Sequence, residues 1–449
     1  MQKNNKGYAR LALVLLLLLP VMFVQAQPDS TETLHLRDLV ANASLKNRNI
    51  QLARLDEQIA NSKYRQTQAI FLPDLNLSYN VLTTNNPLNA FGFKLEQQSI
   101  TQQAFNPDLL NHPPGTTDFA TSLNLQQPVI NMDLFYLRKT ALKQLQLYRY
   151  KTQRTLEMIV FEATQAYLQL GLTYDQQKVL QESLLTTQAI YKFTSDRYSQ
   201  GLLQKSDLLN VEVQLKTIES ALAETQSNIR NASDYISLLM ERPMGTVYRV
   251  DTADSPAWQG PLPDSISPQR ADFKALQTAI ESYDLMIRGS KMSYLPKLNA
   301  FGNYQLHDNA LLGFGSGSYF AGIGLSWDIF KGTATRNKIL TQKLEQRKLR
   351  EDLDNKLEES REDFNRTTRQ LQDAVVKINQ QRAAIDQATE ALRILENRYQ
   401  QGLVTTTDVL MAQTQLSQQE LAYAQAVFAR NSAGAYLQFL TAASDPSSN

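Results

Sequence analysis

Asp196 to Leu215 reads DRYSQGLLQKSDLLNVEVQL, and Asn397 to Leu416 reads NRYQQGLVTTTDVLMAQTQL. Arg197, Tyr198, Gln200, Gly201, Leu202, Asp207, Gln214 and Leu215 all recur 201 positions later. Repetition at a fixed spacing marks a duplicated structural unit. Two further pairs keep the same order. Ala69-Ile-Phe-Leu-Pro-Asp-Leu-Asn76 matches Met292-Ser-Tyr-Leu-Pro-Lys-Leu-Asn299, and Leu125–Ile130 weakly matches Leu325–Phe330. A unit of roughly 200 residues therefore occurs twice. The repeats are expected at 27–242 and 269–441, joined by a Pro-rich linker at 243–268 and followed by a flexible tail at 442–449.

Proline punctuation shows where helices can run. None occurs between Pro128 and Pro243, or between Pro296 and Pro446, and proline breaks helix interiors. Gln, Leu, Ala, Glu, Lys and Arg fill both gaps, and all favour helix. Leu208, Val211, Leu215, Ile218 and Leu222 follow a 3-4-3-4 spacing, the apolar seam of a coiled coil. Long helical hairpins are expected at 131–240 and 331–440, with a first helix of about 68 residues, or ~100 Å.

Upstream of each long helix the period drops to two. Leu75, Leu77, Tyr79 and Val81 alternate with polar residues, as do Phe119, Thr121, Leu123 and Leu125. In the second unit Leu298, Ala300, Gly302, Tyr304 and Leu306 precede Tyr319, Ala321, Ile323, Leu325 and Trp327. Such alternation over about ten residues marks a transmembrane β-strand. The hairpins fall at 71–130 and 294–330, with Pro73 and Pro296 at the helix-to-strand junctions. Single-chain bacterial barrels have at least about eight strands, and an open edge in lipid leaves backbone groups unpaired. Four strands per chain thus require several chains to share one barrel.

The amino terminus carries Lys3, Lys6 and Arg10 before the apolar run Leu11–Val24, then Val24-Gln25-Ala26. That pattern predicts a secretory signal peptide over 1–26. No cysteine follows the cut, so acylation on a cysteine is not expected. Cleavage leaves 42 basic against 44 acidic residues, a balance without the basic patch of a nucleic-acid protein. Zero cysteines disfavour thiolate chemistry and a sulfur-bound zinc cluster, and three scattered histidines, His35, His112 and His307, disfavour a histidine-based metal site, so no metal is expected. With no nucleophile, base and acid in evidence, neither enzymatic activity nor a cofactor is expected. Gly313-Phe-Gly-Ser-Gly317 lacks the strand, helix and lysine of a phosphate loop and is read as a hairpin tip. The first hairpin carries a longer insertion, Asn85 to Asp118, read as a lid, a surface contact or a disordered loop.

The doubled Arg-Tyr-x-Gln-Gly-Leu motif with Asp six residues beyond the Gly, set among Leu-Pro junctions and alternating strands, resembles the TolC-type outer membrane efflux proteins. The resemblance covers about Leu34 to Leu440. It implies an α+β membrane protein whose homotrimer closes a 12-stranded barrel and an α-helical tunnel. It also implies a passive exit duct for tripartite efflux or type I secretion in the outer membrane of a Gram-negative bacterium, with the tunnel projecting into the periplasm. The implied partners are outer-membrane lipid, a periplasmic adaptor (membrane fusion) protein and an inner-membrane pump of RND or ABC type. The alternative, a periplasmic coiled-coil scaffold or adaptor without a barrel, does not account for four alternating strands in two repeated pairs.

In that family the two turns form the tip that closes the resting channel and docks the adaptor. Arg197, Tyr198, Gly201 and Asp207 of the first turn, with Arg398, Tyr399, Gly402, Asp408 and Met411 of the second, are the candidate site. The glycines are expected to end helices in the left-handed conformation. Ser206 and Thr407 are expected as N-caps, with Asp207 and Asp408 favoured by the helix dipole. The family's gate arginine is replaced by Val404 and a gate aspartate by Met411, so a more apolar closure through these two side chains is expected.

Overall fold

The structure, a computed structural model, describes residues 31–250 and 265–442. The expected signal peptide, residues 251–264 of the expected linker and residues 443–449 of the tail lie outside them. In chain order the elements are β1 (Thr31–Leu34), α1 (Leu36–Lys46), α2 (Arg48–Gln66), β2 (Asp74–Thr84), α3 (Pro87–Glu96), α4 (Pro107–Asn111) and β3 (Thr116–Ile130). Then follow α5 (Met132–Ser199), α6 (Lys205–Leu239), β4 (Val247–Val250), α7 (Ala271–Met292), β5 (Lys297–Asp308), β6 (Ser316–Ser326), α8 (Ala334–Gln400) and α9 (Thr406–Thr441). Helices α5 and α8 run 68 and 67 residues. No described helix is long and apolar enough to cross a membrane.

Two compact units divide the chain. One comprises Met1–Ala41, Ala163–Pro256 and Lys377–Phe428; the other comprises Asn42–Glu162, Ala257–Val376 and Ala429–Asn449. Each draws on both sequence repeats.

The second unit holds a four-stranded antiparallel sheet in the order β2-β3-β5-β6. The two repeated hairpins meet where β3 pairs with β5, Leu123 opposite Tyr304 and Leu125 opposite Gly302. Register places Leu75, Leu77 and Val81 of β2 opposite Leu125, Leu123 and Phe119 of β3. Leu298, Ala300 and Tyr304 of β5 lie opposite Leu325, Ile323 and Tyr319 of β6. Side chains alternate faces along a strand, so these residues share one face, and it is exposed: Leu77 is 69%, Ile323 70% and Tyr319 81% accessible. The opposite face carries Asn124 and Asn303, joined by a 2.5 Å side-chain hydrogen bond, with Ser122, Gln305 and His307.

Two departures from the sequence reading concern segments with no long period. Val247–Val250, inside the stretch read as linker, is a strand paired in parallel with Thr31–Leu34. Tyr248 is buried; its N–H donates to Ser233 Oγ at 3.1 Å, and its carbonyl accepts from Tyr174 Oη at 2.8 Å. The insertion Asn85–Asp118 is also ordered into helices. Asn86 Oδ1 accepts from Leu88 N and Asn89 N, while Asn106 Oδ1 accepts from Asp108 N, with Pro87 and Pro107 each opening a helix. Asparagine at the N-cap followed by proline at the first helical position is a strong start signal.

The second unit also holds an ion pair on a buried arginine. Arg270, 2% exposed, donates through Nε to Asp272 Oδ1 at 2.9 Å and through an Nη to Oδ2 at 2.5 Å, with its guanidinium 4.2 Å above the Phe273 ring.

Candidate functional site

Both interhelical turns lie in the first unit and are built alike. Gly201 and Gly402 take φ of +74° and +75°. Gly201 N donates to Tyr198 O and Leu202 N to Arg197 O, each at 2.9 Å; Gly402 N to Tyr399 O and Leu403 N to Arg398 O repeat this at 2.9 Å. These are Schellman closures, which need a left-handed residue after the helix. Glycine takes that conformation without a Cβ clash.

The following helices start two residues earlier than expected. Gln204, not Ser206, caps α6: its backbone N–H donates to Asp207 Oδ2 at 3.1 Å in a reciprocal box. Thr405, not Thr407, plays this part for α9, its Oγ1 accepting from Asp408 N at 3.2 Å while Asp408 Oδ2 accepts from Thr405 N at 2.8 Å. A carboxylate at the third helical position reaches back to the cap residue; the cap therefore stands three residues before each Asp. The hydroxyl and amide of Thr405 hold the Asp408 carboxyl below the usual carboxylate range.

Tyr399 is the centre of the site and is 4% exposed. Its hydroxyl lies 2.8 Å from Thr194 Oγ1 and 2.8 Å from Thr406 Oγ1. Thr194 Oγ1 already donates its only hydrogen to Ile190 O at 2.8 Å. Hydrogen accounting then orders the chain: Thr406 donates to Tyr399, Tyr399 to Thr194, and Thr194 to Ile190 O. The latch thus joins the last turns of α5 and α8 to the first residue of α9. Asp207 is engaged in its own helix cap.

A second tie runs between the turns. An Arg197 Nη donates to Gln400 O at 2.7 Å, and the guanidinium lies 4.6 Å over the Phe193 ring. Behind both ties sits a cluster of Ile190, Val211, Leu392, Tyr399, Val409 and Leu410, with Val404 packed against it. Phe193 meets Tyr399 at a centroid distance of 4.9 Å.

The structure therefore brings Arg197, Tyr399 and Val404 together. Tyr198 and Met411 are exposed at 39% and 67%, Arg398 and Asp408 are exposed, and Met411 lies outside the apolar cluster. Pro73 stands between the 3-10 turn at Thr67–Phe71 and β2, and Pro296 between α7 and β5. Sequence reading missed Thr194 and Thr406. Thr406 falls within the repeated stretch opposite Lys205, and the departure of the two copies there is the only signal it offered.

The family model described as outer membrane efflux protein matches residues 39–240 and 262–443. The cation efflux system protein CusC of Escherichia coli O6:H1 is 24% identical over 274 residues, 59% of this chain and 54% of that protein. The chain thus aligns with about half the length of the curated relatives it matches. A crystal structure of CusC superposes with TM-score 0.79 at 18% identity, over 91% of this chain and 92% of that one. The Vibrio cholerae outer membrane protein VceC gives 0.74 at 17% identity, over 91% and 96%. The Campylobacter jejuni outer membrane channel CmeC gives 0.76 at 15%, over 90% and 85%. Matched in both halves, the chain belongs to the outer membrane efflux protein family.

Proposed function

We propose that three copies of this chain close one twelve-stranded barrel in the outer membrane of a Gram-negative bacterium. They form a passive exit duct whose helical part projects into the periplasm. The observation that carries this reading is the sheet β2-β3-β5-β6, with one exposed apolar face and two outer strands, β2 and β6, each paired on one side only. Strands of 11, 15, 12 and 11 residues suit a bilayer crossing, which needs about 9–11 residues in a tilted strand. An unpaired backbone group costs several kcal/mol in hydrocarbon, so β6 of one copy must pair with β2 of the next. Trp327, Tyr294 and Phe330, exposed beside the strand ends, fit an interfacial aromatic girdle.

The duct supplies no energy of its own. A periplasmic adaptor and an inner-membrane pump of RND or ABC type deliver the cargo. The two turns dock the adaptor and shut the duct in its resting state. Within one subunit, closure uses the Thr406-Tyr399-Thr194 latch, the Arg197 tie and the apolar cluster that includes Val404. Asp408 and Met411, three residues apart and therefore on one face of α9, are left for contacts to the neighbouring subunits or the axis. Native mass spectrometry of the detergent-extracted protein tests the assembly. A trimer that conducts in planar bilayers is expected; a monomer released from membranes without detergent overturns the proposal.

A further inference from the structure

Three groups that the channel reading does not use converge where the insertion meets the sheet. His307 of β5 is 6% exposed, and its Nδ1 lies 2.8 Å from Asp118 Oδ2 of β3 and 3.6 Å from Glu96 Oε2 at the end of α3. One ligand atom from each of the three lies within 4.8 Å of the others. Gln97 Nε2 donates to Asp118 Oδ1 at 2.9 Å, to Thr117 O at 2.9 Å and to Asp308 O at 3.2 Å. The Ser316 hydroxyl stands between Glu96 O and His307 O. We propose that His307, Asp118 and Glu96 form a divalent-cation site of Zn2+ type that pins the insertion to the polar face of the sheet.

Charge is the first argument. Asp118 is 1% exposed, and among the described residues no Lys or Arg pairs with it or with Glu96. A buried carboxylate needs a compensating charge. A divalent cation supplies that charge to Asp118 and draws in the half-exposed Glu96 as a second carboxylate. The second argument is the ring itself. His307 Nε2 is buried with no hydrogen-bond partner, so hydrogen bonding alone leaves this imidazole half satisfied, whichever tautomer it takes. Coordination through Nδ1 strengthens the one anchor this buried ring has, its contact with Asp118.

Geometry agrees. Zinc bonds of about 2.0–2.2 Å to nitrogen and oxygen set tetrahedral ligand separations near 3.4 Å. The imidazole-to-Glu96 distance of 3.6 Å is already of that size; the Asp118 edge, 2.8 Å, has to lengthen by about 0.6 Å on binding. Gln97, bonded to the other Asp118 oxygen, acts as an outer-shell partner that orients the carboxylate. One nitrogen and two oxygens with no sulfur favour borderline divalent ions over soft monovalent ones. Three protein ligands leave a fourth position for water. The helix α3 supplies one ligand and the sheet two, so binding fastens the insertion.

The test uses the untagged, detergent-solubilised full chain, stripped with chelator and titrated with Zn2+ in a calorimeter. One Zn2+ per chain is expected. His307→Gln is expected to abolish binding, and Glu96→Gln, at a half-exposed side chain that folding tolerates, to weaken it by at least about tenfold. His112→Gln, in the same insertion, is expected to leave it unchanged. No Zn2+ uptake by the unsubstituted chain, or uptake by Glu96→Gln or His307→Gln equal to that of the unsubstituted chain, overturns the site. Binding is counted per chain and stands apart from the trimer, whose mass is measured separately.

Discussion

Replacing Tyr399 by Phe removes one oxygen atom and keeps the ring against Phe193. Two hydrogen bonds disappear, at about 1 kcal/mol each. The loss is uneven: Thr194 still donates to Ile190 O at 2.8 Å, whereas the Thr406 hydroxyl, on a residue 1% exposed, is left without its acceptor. An orphaned buried donor costs about 1–3 kcal/mol, so the tip loses about 2–3 kcal/mol of local stability. At 1.4 kcal/mol per tenfold, local opening becomes roughly 30- to 150-fold more frequent. Amide hydrogen exchange reads this directly, because opening of a local unit is separable from global unfolding. Amides in the last turns of α5 and α8 are expected to lose protection by that factor, with β3 and β5 amides unchanged. Adding Thr194→Val is expected to cost about 1 kcal/mol less than the sum of the single changes, since the two side chains share a bond. Unchanged protection in Tyr399→Phe would show that the cluster alone holds the tip, and the hydroxyl chain would be dismissed.

Three further expectations follow from the same geometry. Gly201→Ala and Gly402→Ala each force a left-handed alanine at about 1–2 kcal/mol; a Cβ at Gly402 also comes to 3.2 Å from an Arg197 Nη, while Gly201 faces open space. Melting of the two variants is expected to show Gly402→Ala as the costlier, and equal values count against the Arg197 tie. Arg270→Met removes the guanidinium from a partly exposed Asp272 that keeps Arg154 at 4.0 Å, a loss of about 1–3 kcal/mol readable by denaturant unfolding; the carboxyl, which burial raises but Arg270 and Arg154 lower more, sits below its usual range. Asp408, also held low by Thr405, stabilises the start of α9 when ionised. Its contribution is complete above the unfolded carboxylate value of about 3.9 and fades as pH falls through the lower folded value. The melting difference between the unsubstituted chain and Asp408→Asn is expected to be constant at neutral pH and to close only in strong acid.

The elements of this protein are legible because their signals are local. Proline-free gaps admit α5 and α8, Gly201 and Gly402 mark their ends, and period-two alternation marks β2, β3, β5 and β6. The duplication is legible because both copies still carry the residues that a Schellman closure and a capping carboxylate require. Short elements were harder: Val247–Val250 has no period to detect, and the Asn86-Pro87 and Asn106-Pro107 starts were hidden in a segment read by length.

What the sequence alone determined, then, is the list of pieces: two copies, four alternating strands, long helices and two glycine-ended turns. Tertiary structure decided which side chains meet. Tyr399 bonds Thr194, 205 positions away, a partner that no local pattern announces. His307 meets Asp118 across 189 positions, and β3 pairs with β5 across the repeat boundary. The physical reason is that backbone propensity and periodicity act within a turn or two of chain. Pairing register and buried hydrogen-bond partners are settled only when distant segments pack and each buried donor must find an acceptor.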